Sequence, residues 1–306
     1  MSAVAHGLDR RDAIDTAAAL LMIGLTFSWG LNGVAVKLAN DGFSPVLISI
    51  ARSSIAALCV FAWCRWRGIA LFERDGTLGA GLLAGALFGI EFVLIFWGLD
   101  FTTVARSALM INTMPFWVLL GAHFMLGERM SLLKLVGTAL AFGGVALVFS
   151  DRLSLPDPEA LKGDAMCLAA GIAWAATIIV IKRSKLSSAS AEKTLLYQLA
   201  VSAVITVPLL AVSGPAIRDP DAVSTSALLF QAVFIVAFTY LLWFWLMRRY
   251  PAGGLSSFAF LTPAFGVLMG GLLLDEPLSL RIFIALGLIA VGLVIVNRPA
   301  RRIPPA

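Results

Sequence analysis

Glu91 is the only charged residue between Asp75 and Asp100, set inside GALFGIEFVLIFWG. A carboxylate in a hydrocarbon-length apolar stretch costs about 3 kcal/mol or more, so it must face a wet cavity or a partner. It offers a proton site or a contact for an ammonium group; the plainer alternative is a protonated acid hydrogen-bonded to a neighbouring helix. Arg52 lies about seven residues into another apolar stretch and could bind a carboxylate bidentately. It could equally snorkel to the surface or cap a helix end.

Aromatic residues recur in pairs: Trp29 with Trp174, Phe92 with Tyr240, Trp97 with Trp245. Such rings stack on flat groups and attract cations; at a membrane boundary they form a belt instead. Trp97 and Trp245 are near the ends of their stretches, which favours the belt, whereas Trp29 and Trp174 are deeper, which favours a cavity wall. Trp29 and Asn32 are three residues apart and share a helical face, as do Trp174 and Thr177. Asn112 is a further amide inside an apolar stretch; it and Asn32 either bind a solute or bridge helices. The expected substrate-binding set is therefore Trp29, Asn32, Glu91, Phe92, Asn112, Trp174, Thr177 and Tyr240, with Glu91 the candidate for proton coupling.

Catalysis finds little to work with. There is no HExxH, no GxSxG and no GxxxxGK[ST], and the only histidines are His6 and His123. His123 is expected at an interface. Cys59, Cys64 and Cys167 form no CxxC and fall in apolar stretches, where packing explains them. No catalytic residue, metal site or cofactor is expected. A sensor or scaffold, the rival from another class, would want a soluble output domain, and the loops are too short to hold one.

These residues are carried by ten apolar runs of membrane-spanning length: 17–37, 45–65, 77–98, 104–126, 131–150, 163–183, 192–212, 226–247, 253–274 and 279–297. The chain is 60% hydrophobic and 13% charged, where soluble domains carry about 25% charged residues. A bilayer, not water, solvates such a chain, and helices satisfy its backbone there. With the N-terminus in the cytoplasm, sixteen Lys and Arg fall at cytoplasmic ends and six at the other. That bias places both termini in the cytoplasm and the protein in the cell (inner) membrane. No basic run interleaved with aromatics suggests nucleic acid. The partners expected are a small-molecule substrate and the bilayer; a monomer suffices.

The chain repeats itself. Residues 104–150 align with 252–298 at an offset of 148 without a gap, Pro115 falling on Pro263, Glu128 on Glu276 and Ser131 on Ser279. Spans 3 and 8 keep that offset, spans 1 and 6 match at 145, and spans 2 and 7 match poorly. Five spans per copy is an odd number, so the second copy must thread the membrane in the opposite sense. Matched turns bear this out in their charge: Asp100-Phe101 corresponds to Arg248-Arg249. Inverted repeats place a substrate site near the midplane between the halves. The fold class expected is all-α and polytopic: an N-terminal tail 1–16, a first repeat 17–150, a Pro-rich linker 151–162, a second repeat 163–297 and a C-terminal tail 298–306. Pro115 and Pro263 interrupt their helices at matched places and are the candidate hinges. The turns holding Glu128 and Glu276 precede Ser131 and Ser279, expected N-caps, and are read as structural.

The stretches ARSALMINTMPFWVLLGAHFMLGERMSLLKLVGTALAFGGVALV and AGGLSSFAFLTPAFGVLMGGLLLDEPLSLRIFIALGLIAVGLVIV resemble the end of an EamA repeat of the drug/metabolite transporter superfamily. The family's proline maps to Pro115 and Pro263. Its Leu-Gly-Glu turn maps to Leu126-Gly127-Glu128 and, with Asp for Gly, to Leu274-Asp275-Glu276. The resemblance implies ten helices, a cavity lined mainly by spans 1, 3, 4, 6, 8 and 9, and alternating access. It implies secondary transport of a small metabolite, with export of amino acids or related compounds favoured. Uptake of a cofactor such as a riboflavin-like compound is the alternative.

Overall fold

A computed structural model describes residues 11–150, 153, 158–274 and 279–298. The Glu276 turn, half of the linker and most of both tails lie outside the described residues. Among the described residues, nine helices are long and apolar enough to cross a membrane: α1 (Thr16–Gly42), α2 (Pro45–Arg67), α3 (Leu78–Leu99), α4 (Val104–Leu126), α5 (Leu132–Phe149), α6 (Pro158–Arg183), α7 (Ala191–Ala211), α8 (Ala222–Arg249) and α9 (Ala252–Leu273). A tenth, α10 (Leu280–Val296), has 17 residues, within the spanning range of about 17–25. Helix α6 begins at Pro158, so the last residues of the expected linker are helical.

The helix ends follow from local chemistry. Asp15, Ser44, Thr103, Ser131, Ser190 and Asp221 cap their helices by accepting an amide N–H three residues on. Ser279 holds the N-cap position of α10 without a side-chain bond, so the expected match to Ser131 is positional only. Gly68 and Gly127 terminate α2 and α4 in the left-handed conformation. Both prolines sit just beyond a break. In α4 the break is at Asn112–Thr113, and in α9 a 3₁₀ turn spans Phe258–Phe260.

The two halves interleave, because most close packing is between them. Helices α3 and α6 pack together, and so do their repeat counterparts α8 and α1; α4 packs on α6 as α9 packs on α1. The matched pair α5 and α10 runs antiparallel: Gly137 lies against Gly292 and Ile295, and Gly144 against Ala285 and Ile289. Equivalent helices lying antiparallel across the interface are what an inverted repeat requires. Ten crossings return the chain to the face where it began. There Arg11 N–H bonds the Arg249 carbonyl at 2.8 Å, and Asn297 reaches the Ser257 hydroxyl at 3.3 Å. This is called the termini face below.

Small residues set the spacing. Along α3, Gly81, Gly85 and Gly89 lie successively against Tyr197, Val201 and Ile205 of α7. A Cβ at Gly85 would stand 2.6 Å from both the Tyr197 carbonyl and the Val201 side chain, while one at Gly79 meets nothing. Gly85→Val is therefore expected to destabilise the protein by about 1–3 kcal/mol through overpacking, and Gly79→Val much less. Unfolding midpoints of the two purified variants, read side by side, check this. On the termini face Lys193 bonds Asp75 at 2.8 Å, and with the Thr77 hydroxyl it holds the Asp75 carboxyl well below the usual carboxylate range. On the opposite face Arg106 and Asp164 form a buried ion pair joined by the Thr102 hydroxyl at 2.7 Å. Arg106, near the end of its span, is held inside because Asp164, on the other half, supplies its counter-charge.

Candidate functional site

A cavity of ≈530 Å³ lies between the halves. All eight expected substrate-binding residues line it: Trp29, Asn32, Glu91, Phe92, Asn112, Trp174, Thr177 and Tyr240. Pro263 also lines it. Pro115 is buried and does not, its place being in the packing of α4. Besides α1, α3, α4, α6, α8 and α9, helices α2 and α7 contribute walls, through Arg52 and Gln198.

The aromatic wall is built across the repeat. Trp29 donates its indole N–H to Thr239, at 2.9 Å, and meets Tyr240 and Trp243 edge-on at 6.1 and 5.7 Å. Thr239 is the repeat counterpart of Glu91, so the same position holds a ring from the first half in one copy and a carboxyl in the other. It closes a π-helical segment, Gln231–Thr239, within α8; such segments are uncommon and frequent at functional sites. Phe88 packs edge-on to Phe92 at 5.1 Å, and the Arg52 guanidinium lies 4.8 Å over the Phe92 ring. Trp97 and Trp245 stay out of the cavity. Trp97 is 45% exposed, and Trp245 carries the Arg249 guanidinium at 4.1 Å.

Four buried polar atoms on this cavity find no hydrogen-bond partner among the described residues: Asn32 Oδ1, Glu91 Oε2, Gln198 Nε2 and Thr262 Oγ1. They come from α1, α3, α7 and α9. Buried polar atoms are normally paired, so four orphans on residues around one space single it out as the candidate site. By contrast, Asn112 and Thr177 each spend a donor on the preceding turn, at the Ala108 and Ala173 carbonyls. Arg52 and Glu91 line the same space, and among the described residues no ion pair joins them. Each is only 9% and 6% exposed. The site thus offers a cation, a carboxyl, unspent amide and hydroxyl groups, and apolar ring faces. Gln198, Trp243 and Thr262 were not singled out from the sequence. Gln198 carried a signal, an amide in mid-span, but spans 2 and 7 lack the internal match that drew attention elsewhere.

The cavity is one-sided. It includes Val104 and Phe149, at the face opposite the termini, and Val104 is 74% exposed. Toward the termini face it ends at Ile181 and Met247, both buried, which also line a separate vestibule beyond. Here Glu128 accepts the amide N–H groups of Ala252 and Gly253, at 2.7 and 3.2 Å, pinning the start of α9 to the end of α4. Val104 and Ala252 are repeat counterparts, yet Ala252 is 1% exposed. His123 lies nearby, half-buried, its Nδ1 at 3.2 Å from the Glu128 carbonyl, a loop contact rather than a cavity one.

Ten helices in two antiparallel copies around a largely apolar, ring-walled cavity that holds a few polar groups define a polytopic membrane protein of the inverted-repeat transporter class. The chain belongs to the EamA-like transporter family, whose pattern matches residues 16–150 and again 161–298. An uncharacterized transporter of Bacillus subtilis (strain 168), YoaV, is 25% identical over 277 residues, covering 89% of this chain and 94% of that protein. A probable amino-acid metabolite efflux pump of Escherichia coli (strain K12) is 27% identical over 299 residues, covering 94% and 95%. A solved crystal structure superposes with a TM-score of 0.82 at 19% identity, covering 95% of this chain and all of that one, a likeness of fold alone.

Proposed function

We propose that the protein exports a small amino-acid-like metabolite by alternating access around the central cavity, without catalysing a chemical change. The observation that carries this reading is the pairing of Arg52 and Glu91 on one cavity with four unpartnered polar atoms and a ring-lined wall. A zwitterion fits that set. Its carboxylate goes to Arg52, its ammonium to Glu91, its hydrogen-bonding edge to Asn32, Gln198 and Thr262, and its apolar side chain to Trp29, Trp174 and Tyr240. The name of the Escherichia coli relative as an amino-acid metabolite pump supports the same class. A cavity of ≈530 Å³ is within the usual small-molecule range of about 300–1,000 Å³. Glu91 holds either the ammonium or a proton, so that outward movement of substrate is exchanged for inward movement of a proton. Pro115 and Pro263, each next to a helix break, are the hinges.

Counterflow in proteoliposomes tests the substrate class. Zwitterionic amino acids with apolar side chains are expected to drive uptake of a labelled one, while their amides and decarboxylated amines, lacking the carboxylate, are not. Exchange driven equally well by the amines would refute the assignment to Arg52. We propose further that the termini face is the cytoplasmic one, in the inner membrane, with tails and basic turns on that side. Reporter fusions at residue 11 and after residue 298 should both be active only in the cytoplasm, and a split result would sink the topology.

A further inference from the structure

Between Ile181 and Met247 and the aqueous phase on the termini face lies a vestibule of ≈1420 Å³, larger than the central cavity. It is lined by Arg129 of the α4–α5 turn, Lys134 at the start of α5 and Arg11 ahead of α1. From the second half come Lys182, Arg248, Arg249 and Arg298. Among the described residues two carboxylates line it, Asp12 and Glu128; Glu128 is committed to the amides that start α9, and Arg11 is paired with Asp15 beside it. A bias of cations toward one face of the bilayer is ordinary. That bias asks for cations somewhere on the face, not for seven of them around one concavity drawn from both halves of the chain.

Two details make the concavity more than a charged rim. Arg248 is half-buried; its Nε is buried and finds no hydrogen-bond partner among the described residues, and its Nη2 reaches the Ser188 carbonyl only at 3.4 Å. Arg249 is fixed with its guanidinium 4.1 Å over Trp245. A low-dielectric concavity of one sign focuses its field and concentrates counter-ions. Guanidinium groups match phosphate oxygens bidentately, and basic pockets between membrane helices take phosphate headgroups. The cations come from both halves, Arg11, Arg129 and Lys134 from the first and Lys182, Arg248, Arg249 and Arg298 from the second, and seven cations over two carboxylates suit an anion with more than one phosphate.

We propose that this vestibule binds a diphosphate anion, which bridges the two halves and stabilises the arrangement closed at Ile181 and Met247. The anion is either free in the aqueous phase or the headgroup of a lipid such as cardiolipin. The binding half of this inference does not depend on the substrate reading and can fail or stand separately from it.

The test uses the full-length protein in phosphatidylcholine nanodiscs, with the unfolding midpoint as readout. One arm adds inorganic pyrophosphate at constant ionic strength; the other replaces part of the phosphatidylcholine with cardiolipin. At least one arm is expected to raise the midpoint by about 5 °C at saturation. The double variant Arg129→Gln, Arg248→Gln should lose that rise, and Arg218→Gln, on the opposite face, should keep it. Should the double variant fail to assemble, Arg129→Gln on the turn with Lys134→Gln in the first turn of α5 replaces it. A rise with pyrophosphate alone assigns a free anion, and a rise with cardiolipin alone assigns a lipid. No rise in either arm, a rise matched by sodium chloride, or a rise that survives the variants would overturn the proposal.

Discussion

Glu91→Gln is expected to insert and fold normally and to lose net transport by about 10- to 100-fold. The substitution keeps the shape of the side chain and removes its charge and its exchangeable proton. A hydrogen bond to a charged group is worth about 1.5–3 kcal/mol, and about 1.4 kcal/mol is tenfold in an equilibrium, which sets the size of the effect. Oε2 of Glu91 has no protein partner among the described residues, so little structural bonding is lost with the charge. Two assays divide the roles assigned to this carboxyl. If it only couples protons, counterflow at equal pH persists in the variant while gradient-driven export is lost. If it also holds the ammonium group, counterflow weakens by a similar factor. Wild-type rates in both assays, with normal insertion, would remove Glu91 from the substrate path.

Glu91 was legible because of what surrounds it. One charge in a span of apolar residues is conspicuous without any knowledge of its neighbours, and so are Trp29 and Trp174 once the repeat aligns them. The same periodic logic yielded ten spans and the antiparallel threading, since an odd number of crossings per copy leaves no other arrangement. The limits came where a residue's meaning depends on a partner far along the chain. Arg106 has the look of a boundary cation until Asp164, 58 residues away, is brought against it. Gln198 lies in a span whose internal match is poor, so nothing in the repeat pointed to it. Trp243 and Thr262 sit beside marked residues, and only the rotation of α8 and α9 decides which neighbour faces the cavity. Interhelical contacts in a membrane are set by packing and hydrogen bonding rather than by a hydrophobic pattern, because every face of such a helix is apolar.

Glu128 shows the same limit, and its substitution is the second large effect expected. From the sequence it is a turn residue next to the cap Ser131. In the structure its two carboxylate oxygens accept the first amides of α9, 124 and 125 residues away, on the other half. The first amides of a helix have no partner inside it and carry the positive end of its dipole, so a carboxylate there is doubly favourable. This contact exists only while the end of α4 and the start of α9 are together, that is, while the termini face is closed. In the alternating-access mechanism proposed above that face opens, and an opening that parts α4 from α9 breaks both bonds. Glu128→Ala removes them from the closed form and takes nothing comparable from the open one. The balance should then move toward the open form by roughly 1.5–3 kcal/mol, a population change of about 10- to 100-fold. Met247→Cys, in a background without Cys59, Cys64 and Cys167, reports the change. In the closed form it is buried beside Ile181, and its labelling by a hydrophilic maleimide from the termini face should speed up by that factor when Glu128→Ala is added. Unchanged labelling in a folded variant would mean that Ile181 and Met247 hold this face shut by packing alone.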